Sequence, residues 1–250
     1  MKVIDLFCGA GGFSLGFDYI EKFELIYALD NWNIACQTYK SNFPYVDVDC
    51  RNALDISPSK IPSADIIIGG PPCQEFTITK ALGKDERSYD TSLIEWFLKV
   101  VDNIKPKYWI MENVPTVSRF VSGKHKKKIY KMTDYGIPQL RKRLFYGDYN
   151  EPKKAPTKVI FPTVINEAGG VTYRPPNLGI RLGSVFRRRS LIHEVLITQT
   201  FPLDFILHGI LSDQYTMIGN AVPPLMAYRF AQAIENPTQL KIHTEKVIRD

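Results

Sequence analysis

The sequence predicts an α/β protein built on a doubly wound, mainly parallel sheet, a Rossmann-like arrangement with a small, loop-rich second lobe. Three observations carry that reading. Short apolar runs suited to buried strands alternate with segments of helical period. The runs lead into turns rich in glycine or proline, Gly9-Ala10-Gly11-Gly12 and Gly69-Gly70-Pro71-Pro72. The chemically distinctive residues Gly9, Asp30, Cys73 and Glu112 all sit at the ends of such runs, where open α/β sheets bind their ligands.

The elements follow in order. Residues 2–7 (KVIDLF) read as a buried strand, followed by a glycine-rich turn and a helix through about Tyr19. Residues 24–29 (ELIYAL) read as a second strand ending at Asp30, and residues 31–42 as a helix. Residues 65–68 (DIII) form a short apolar strand that runs into the Gly-Gly-Pro-Pro turn. Residues 91–104 place Leu93, Ile94, Phe97, Leu98 and Val101 at helical spacing. Residues 108–111 (YWIM) form a further strand that ends at Glu112-Asn113. Residues 151–189 are rich in Pro, Gly and Arg and read as the small, basic lobe; regular structure is expected again near 190–200 and 222–235.

The chain has 250 residues, 44% of them hydrophobic and 23% charged, enough for one sizeable core. No apolar run is long enough to span a membrane, and the N-terminal MKVIDLF does not read as a secretory leader, so a cytoplasmic protein is expected. The four cysteines are scattered with no Cys-x-x-Cys pair, which argues against zinc and, without a leader, against disulfides. Cys8, Cys36 and Cys50 read as small buried hydrophobes. Nothing signals an oligomer interface, so a monomer is expected.

Charge is unevenly spread. Residues 119–189 hold 17 Lys and Arg against four Asp and Glu, whereas residues 1–118 and 190–250 are each net negative. The basic stretch includes Lys126-Lys127-Lys128, Arg141-Lys142-Arg143 and Arg187-Arg188-Arg189. That concentration points to a polyanion partner, because phosphate contacts release condensed counterions.

Five motifs carry chemistry. Asp5-Leu6-Phe7-Cys8-Gly9-Ala10-Gly11-Gly12-Phe13-Ser14 lets the backbone approach a ligand closely. It is neither a phosphate-binding P-loop, since no Gly-Lys-Ser/Thr follows, nor a dinucleotide fingerprint, since Ser14 holds the third glycine position. Asp30 at the next strand end suits the two ribose hydroxyls of an adenosine-containing cofactor. Gly69-Gly70-Pro71-Pro72-Cys73-Gln74-Glu75-Phe76-Thr77 holds a cysteine rigidly just past a strand, where a nucleophilic thiol has access. Glu112-Asn113-Val114-Pro115 puts a glutamate beside an apolar strand, where it could stay protonated and act as an acid. Gln139-Leu140-Arg141-Lys142-Arg143 alternates two arginines suited to a bidentate hold. Ile218-Gly219-Asn220-Ala221-Val222-Pro223-Pro224 is a turn into a C-terminal helix.

In this order and this chain, D-L-F-x-G-x-G-G, G-P-P-C-Q, E-N-V, Q-x-R-x-R and G-N-A-V-P-P resemble the motifs of the DNA (cytosine-5)-methyltransferases. The resemblance spans residues 3 to about 235 and extends to Gln199-Thr200-Phe201-Pro202 ahead of the last motif. It implies S-adenosylmethionine as cofactor, returned as S-adenosylhomocysteine, and no metal. It places Phe7, Cys8, Gly9, Ala10, Gly11 and Gly12 around the methionine and ribose, Asp30 on the ribose hydroxyls, and Asn31, Asp49, Cys50, Pro72 and Leu93 near the cofactor. Asn220, Ala221 and Val222 would close that site. Cys73 would be the nucleophile, with Glu112, Asn113, Arg141 and Arg143 completing the catalytic set. Gln74, Thr77, Arg187, Arg188 and Arg189 would contact nucleic acid.

The resemblance also implies a division of the chain and its partners. Residues 1–150 plus 215–250 would form the catalytic, cofactor-binding domain and residues 151–214 a shortened DNA-recognition lobe. Double-stranded DNA would be the substrate, taken at the nucleoid, with a cognate restriction endonuclease as a possible counterpart. A tRNA cytosine-5 methyltransferase of the same branch would share these residues; a catalytically inactive DNA-binding homologue would have no reason to keep them all. Two segments are short. Only 20 residues separate Val114 from Tyr135, where the family usually has a further helix and strand, and the lobe after Tyr149 is also brief.

Overall fold

The computed structural model describes residues 1–72, 74–78, 87–121, 123, 125–159, 161 and 191–236. Its centre is a seven-stranded sheet. In chain order its strands are β1 (Lys2–Leu6), β2 (Glu24–Asp30), β3 (Asp47–Cys50), β4 (Ile66–Gly69), β7 (Tyr108–Asn113), β8 (Lys126–Lys131) and β9 (Lys142–Asp148). A separate hairpin pairs β5 (Gln74–Ile78) with β6 (Arg87–Asp90). The helices are α1 (Gly12–Asp18), α2 (Asn33–Asn42), α3 (Ser92–Ile104), α4 (Ile192–Thr198), α5 (Leu211–Asn220) and α6 (Pro224–Glu235). The spatial order is β3-β2-β1-β4-β7-β9-β8. The first five strands run parallel, and β9 inserts antiparallel between β7 and β8. The predicted class is thus the observed one. The strand β3 and the antiparallel pair β8–β9 were not foreseen, because DVDC is too short and polar to give an apolar signal and KKKIYK reads as a charge run.

Each sheet face has its own core. On one face Phe13, Phe17, Tyr39, Phe145 and Phe230 join α1, α2 and α6, with Val195, Leu196 and Phe201 from the α4 region. On the other, α3 lays Ile94, Phe97 and Val100 against Leu6, Leu29, Ile67 and Met111. The α4 region therefore packs into the main core, although the sequence grouped residues 151–214 as a second lobe. Its helix is only seven residues long, and buried Val195 and Leu196 hold it there. Residues 160 and 162–190 of that stretch lie outside the described residues.

Between Val114 and Tyr135 lies the strand β8, as the family pattern anticipates, but a five-residue 3-10 turn, Pro115–Arg119, stands where a helix was expected. Val117 and Val121 bury the apolar surface it must cover. The basic run of β8 is largely committed internally. Lys126 Nζ donates to the Tyr149 carbonyl, Lys127 Nζ to the carbonyls of Ser118 and Val121, and Lys128 pairs with Glu151 at 2.5 Å.

Candidate active site

Strand register builds the site. Leu6 lies beside both Leu29 and Gly69, and Gly69 lies beside Met111. One residue further along each strand come Phe7, Asp30, Gly70 and Glu112, so four separate motifs meet along one sheet edge. Chain order reverses at β1, with β2 on one side and β4 on the other, which is the switch point where open α/β sheets form a crevice. An open cleft of about 1660 Å³, solvent space included, lies there. Its walls include Phe7, Gly9, Asp30, Glu112, Arg141, Arg143 and Asn220.

One half of the cleft is made mostly of backbone. Phe7 sits at φ 63°, a left-handed conformation that a bulky residue adopts only when its surroundings impose it. Its ring meets Trp96 edge-on at 5.8 Å. Gly11 is also left-handed, at φ 91°. A side chain at Gly12 would collide with the Val222 carbonyl oxygen, so the loop lies directly on the chain that follows α5. Asp30 braces this loop: one carboxylate oxygen accepts the Gly9 amide at 2.8 Å and the other the Trp32 amide at 2.9 Å. Burial raises the Asp30 pKa, opposed by those amides. Below the loop, Ser14 donates to Asp5 at 2.7 Å and shares a 2.6 Å hydrogen bond with Tyr39. Burial pushes the Asp5 carboxyl up to about 7, with the Ser14 hydrogen bond opposing and the charge of Asp30 reinforcing the shift.

A side pocket of about 240 Å³, open solvent space included, lies beside Asp30, lined by Phe7, Leu29, Asn31, Arg51, Asn52, Ala53, Pro72 and Leu93. Asn31, Pro72 and Leu93, which the sequence analysis named, are among these lining residues. Asp49 and Cys50 line neither cavity. Asp49 is held by Arg51 at 2.7 and 2.5 Å and by the Tyr27 hydroxyl at 3.0 Å, and Cys50 is the last residue of β3. Arg51, Asn52 and Ala53, just beyond that strand end, take the wall instead.

The other half of the cleft is charged. Glu112 is buried, and Arg143 Nε lies 3.0 Å from its Oε1. Burial raises the Glu112 pKa, and the charges of Arg143 and Arg141 oppose the rise. Arg141, 1% exposed, donates to the carbonyls of Gly219 at 2.9 Å and Ala221 at 3.3 Å. Burial and repulsion by Arg143 push its pKa down to about 9. Arg141 therefore braces the end of α5, while Arg143 makes a direct hold on Glu112; the resemblance had implied that both would hold Glu112 or the pyrimidine carbonyl. Asn113 donates to the Pro71 carbonyl at 2.8 Å and accepts the Val114 amide, tying the end of β7 to the turn that leads into Cys73.

Cys73 itself, and Arg187, Arg188 and Arg189, lie outside the described residues. Gln74 and Thr77 are placed on β5 by backbone pairing with Asp90 and Ser88. Asp5, Phe13, Trp32, Gly70, Pro71, Val114 and Met217 also line the cleft and were not named as site residues from the sequence. Trp32 and Val114 each directly follow a residue it had named.

Comparison with known proteins gives a consistent result. The C-5 cytosine-specific DNA methylase family model matches residues 1–169 and 181–236. The chain is 33% identical to the Type II methyltransferase M.HgiDI of Herpetosiphon aurantiacus, with 94% of each chain covered. It is 30% identical to M.HindV of Haemophilus influenzae, over 94% of this chain and 97% of that one. The first alignment runs over 302 positions, more than the 250 residues here, so the relative carries inserted segments. Among solved structures, a DNMT2 variant of Spodoptera frugiperda superposes with a TM-score of 0.69 at 17% identity, covering 94% of this chain and 99% of that one. The methyltransferase EhMeth of Entamoeba histolytica superposes at 0.68 and 18%, covering 96% and 99%. At such identities these two structures speak for the fold alone.

Proposed function

Because this chain belongs to the C-5 cytosine-specific DNA methylase family, we propose that its cleft methylates C5 of a cytosine flipped out of double-stranded DNA, with Cys73 as nucleophile and S-adenosylmethionine as methyl source. The chain is a DNA (cytosine-5-)-methyltransferase related to Type II enzymes, and DNA methylation within a restriction–modification system is its class of work. A cognate endonuclease reading the same DNA site would be its counterpart. No helix among the described residues is long and apolar enough to cross a membrane, and we place the enzyme in the cytoplasm with its DNA.

The observation that carries the mechanism is the pairing of buried Glu112 with Arg143 beside the Asn113-anchored turn. C5 of cytosine is a poor nucleophile. Addition of the Cys73 thiolate to C6 gives C5 carbanion character and readies it for the methyl group. Glu112 faces N3 and the amino group; its raised pKa favours the protonated form, which offsets negative charge building on the ring. Arg143 fixes the rotamer of Glu112. After methylation C5 loses its proton to a base, and the electron pair of that C–H bond expels the Cys73 thiolate from C6. The target must leave the base stack, since C5 and C6 are inaccessible in a duplex.

The cofactor's fit rests on the glycine loop and Asp30. The loop leaves room for close approach, and the Asp30 carboxylate, braced by two amides, keeps lone pairs for two ribose hydroxyls. Asn31, Arg51, Asn52, Ala53 and Leu93 form a pocket beside it that suits an adenine. When bound, S-adenosylmethionine supplies the methyl group. Arg187, Arg188 and Arg189 remain our candidates for phosphate contacts.

The test is a trap. The enzyme, S-adenosylmethionine and a mixed-sequence duplex carrying 5-fluorocytosine are combined and run on a denaturing gel. Fluorine at C5 cannot leave as a proton, so elimination stalls. A covalent band that vanishes in Cys73→Ser is expected. A band on tRNA and none on DNA would overturn the DNA reading, and no band on either would overturn the mechanism for this chain.

A further inference from the structure

The carbonyls at the carboxyl end of α5 have no onward helical partners, because Pro223 and Pro224 stop the helix. Two buried side chains take them up. Arg141 donates to Gly219 and Ala221. Gln199, which is 0% exposed, donates to the Ile218 carbonyl at 2.5 Å and more distantly to Ala221 at 3.4 Å. Its amide is oriented by Gln139, which donates to Gln199 Oε1 at 2.5 Å and to the Thr198 carbonyl at 3.1 Å. Gln199 reaches neither cavity, yet it links two things that do. On one side is the Asn220–Val222 wall that presses on Gly12. On the other is the segment from Gln139 to Arg143 that ends on Glu112.

We infer that Gln199 is a positioning residue for the cofactor half of the cleft, setting the Asn220–Val222 wall against the glycine loop through its bond to the end of α5. The inference rests on the reading of that half as the S-adenosylmethionine site. A core glutamine serving only to fill space would be replaceable by an apolar residue of similar shape. A positioning glutamine would not be, because the Ile218 carbonyl needs a donor at that place.

The experiment compares full-length wild type, Gln199→Met and Gln199→Glu by calorimetric titration with S-adenosylmethionine and by steady-state methylation of duplex DNA, with thermal melts alongside. Gln199→Met keeps the volume and loses the donor. Its Kd and KM for S-adenosylmethionine are expected to rise about tenfold, with kcat within threefold of wild type. In Gln199→Glu, burial favours the protonated carboxyl, which can still donate to Ile218 and accept from Gln139. Its affinity should approach wild type near pH 6 and fall about tenfold by pH 8.5, while that of Gln199→Met stays low throughout. Wild-type affinity in folded Gln199→Met, or no recovery in Gln199→Glu at low pH, overturns the inference. If Gln199→Met does not fold, Gln139→Met decides: raised KM at unchanged kcat supports the role, and unchanged KM overturns it. If wild type binds no S-adenosylmethionine, the site reading falls first and takes this inference with it.

Discussion

The two halves of the cleft are built on opposite principles. The half we propose for the cofactor is a backbone device: glycines, one left-handed phenylalanine, and a carboxylate whose oxygens are taken up by amides of the loop it braces. The half we propose for the target base is a side-chain device: a buried glutamate, one buried and one half-buried arginine, and an asparagine, drawn from β7, from β9 and from the segment entering β9. The first works by shape and tolerates no added atoms. The second works by charge held out of water, where removing one partner leaves the other costly. The difference teaches where each half is fragile.

The largest effect is expected on the charged side. Glu112→Gln keeps the shape and removes the proton that the raised pKa retains, so kcat should fall roughly 10²–10³-fold with cofactor affinity within a few-fold. The sign of the pH effect follows from the direction of the shift. Glu112 holds its proton above the ordinary glutamate range, so activity that needs the acid is present at lower pH and lost as pH rises through the raised pKa. The side-chain amide of the Glu112→Gln variant does not titrate, and that limb of the profile should disappear. A retained limb would assign it to another group.

The next effect breaks the backbone half. Gly12→Ala drives a methyl group into the Val222 carbonyl and toward the Phe201 ring. Overpacking of this kind costs about 1–3 kcal/mol, visible as a lower melting temperature, and cofactor affinity should fall with it. An alanine variant with unchanged melting and Kd would show that the loop yields more readily than its contacts imply.

A smaller change separates bracing from binding. Asp30→Asn retains acceptor capacity for one amide and weakens the hold on ribose. KM for S-adenosylmethionine should rise about tenfold with kcat little changed, a loss of uniform binding. An equal fall in kcat would move Asp30 from holding the cofactor to aligning it.

A further effect, on stability rather than on catalysis, lies beneath the loop. Asp5 has its pKa raised to about 7 by burial, so the folded state keeps a proton that the unfolded chain releases near 3.8. That contribution to stability is fully present below pH 3.8 and is lost as pH rises to about 7. Asp5→Asn should flatten that part of the stability–pH curve, read by urea melts at several pH values. The raised Asp30, whose charge faces Asp5, would still titrate and leave a residual slope.

How much was legible in the sequence follows the same division. The glycine half announces itself locally: Gly9 to Gly12 are contiguous, and Asp30 ends an apolar run. Glu112 was legible for the same reason. That Arg143 reaches Glu112 while Arg141 takes carbonyls at the end of α5 was not, because the division depends on the antiparallel β9, which brings Leu144 beside Asn113 and Phe145 beside Glu112. No local period shows that pairing. The side pocket takes its wall from Arg51, Asn52 and Ala53 rather than from Asp49 and Cys50, and the β3 strand before them gave no apolar signal, because it has four residues and two of them are aspartates. Gln199 was noticed as part of a motif, yet its work is done across contacts 19 and 60 residues away in the chain.

The outer strand β8 bears on how the protein behaves in the tube. An edge strand offers free amides and carbonyls to any passing chain, and about six residues are enough to seed fibrillar stacking. KKKIYK answers with four lysines in six positions, flanking the half-exposed Ile129. Two such edges meeting would bring like charges together. That repulsion shortens to a few ångströms in molar salt. Concentrated stocks should therefore stay clear at low ionic strength and cloud sooner in high salt, with Ile129 as the first apolar contact.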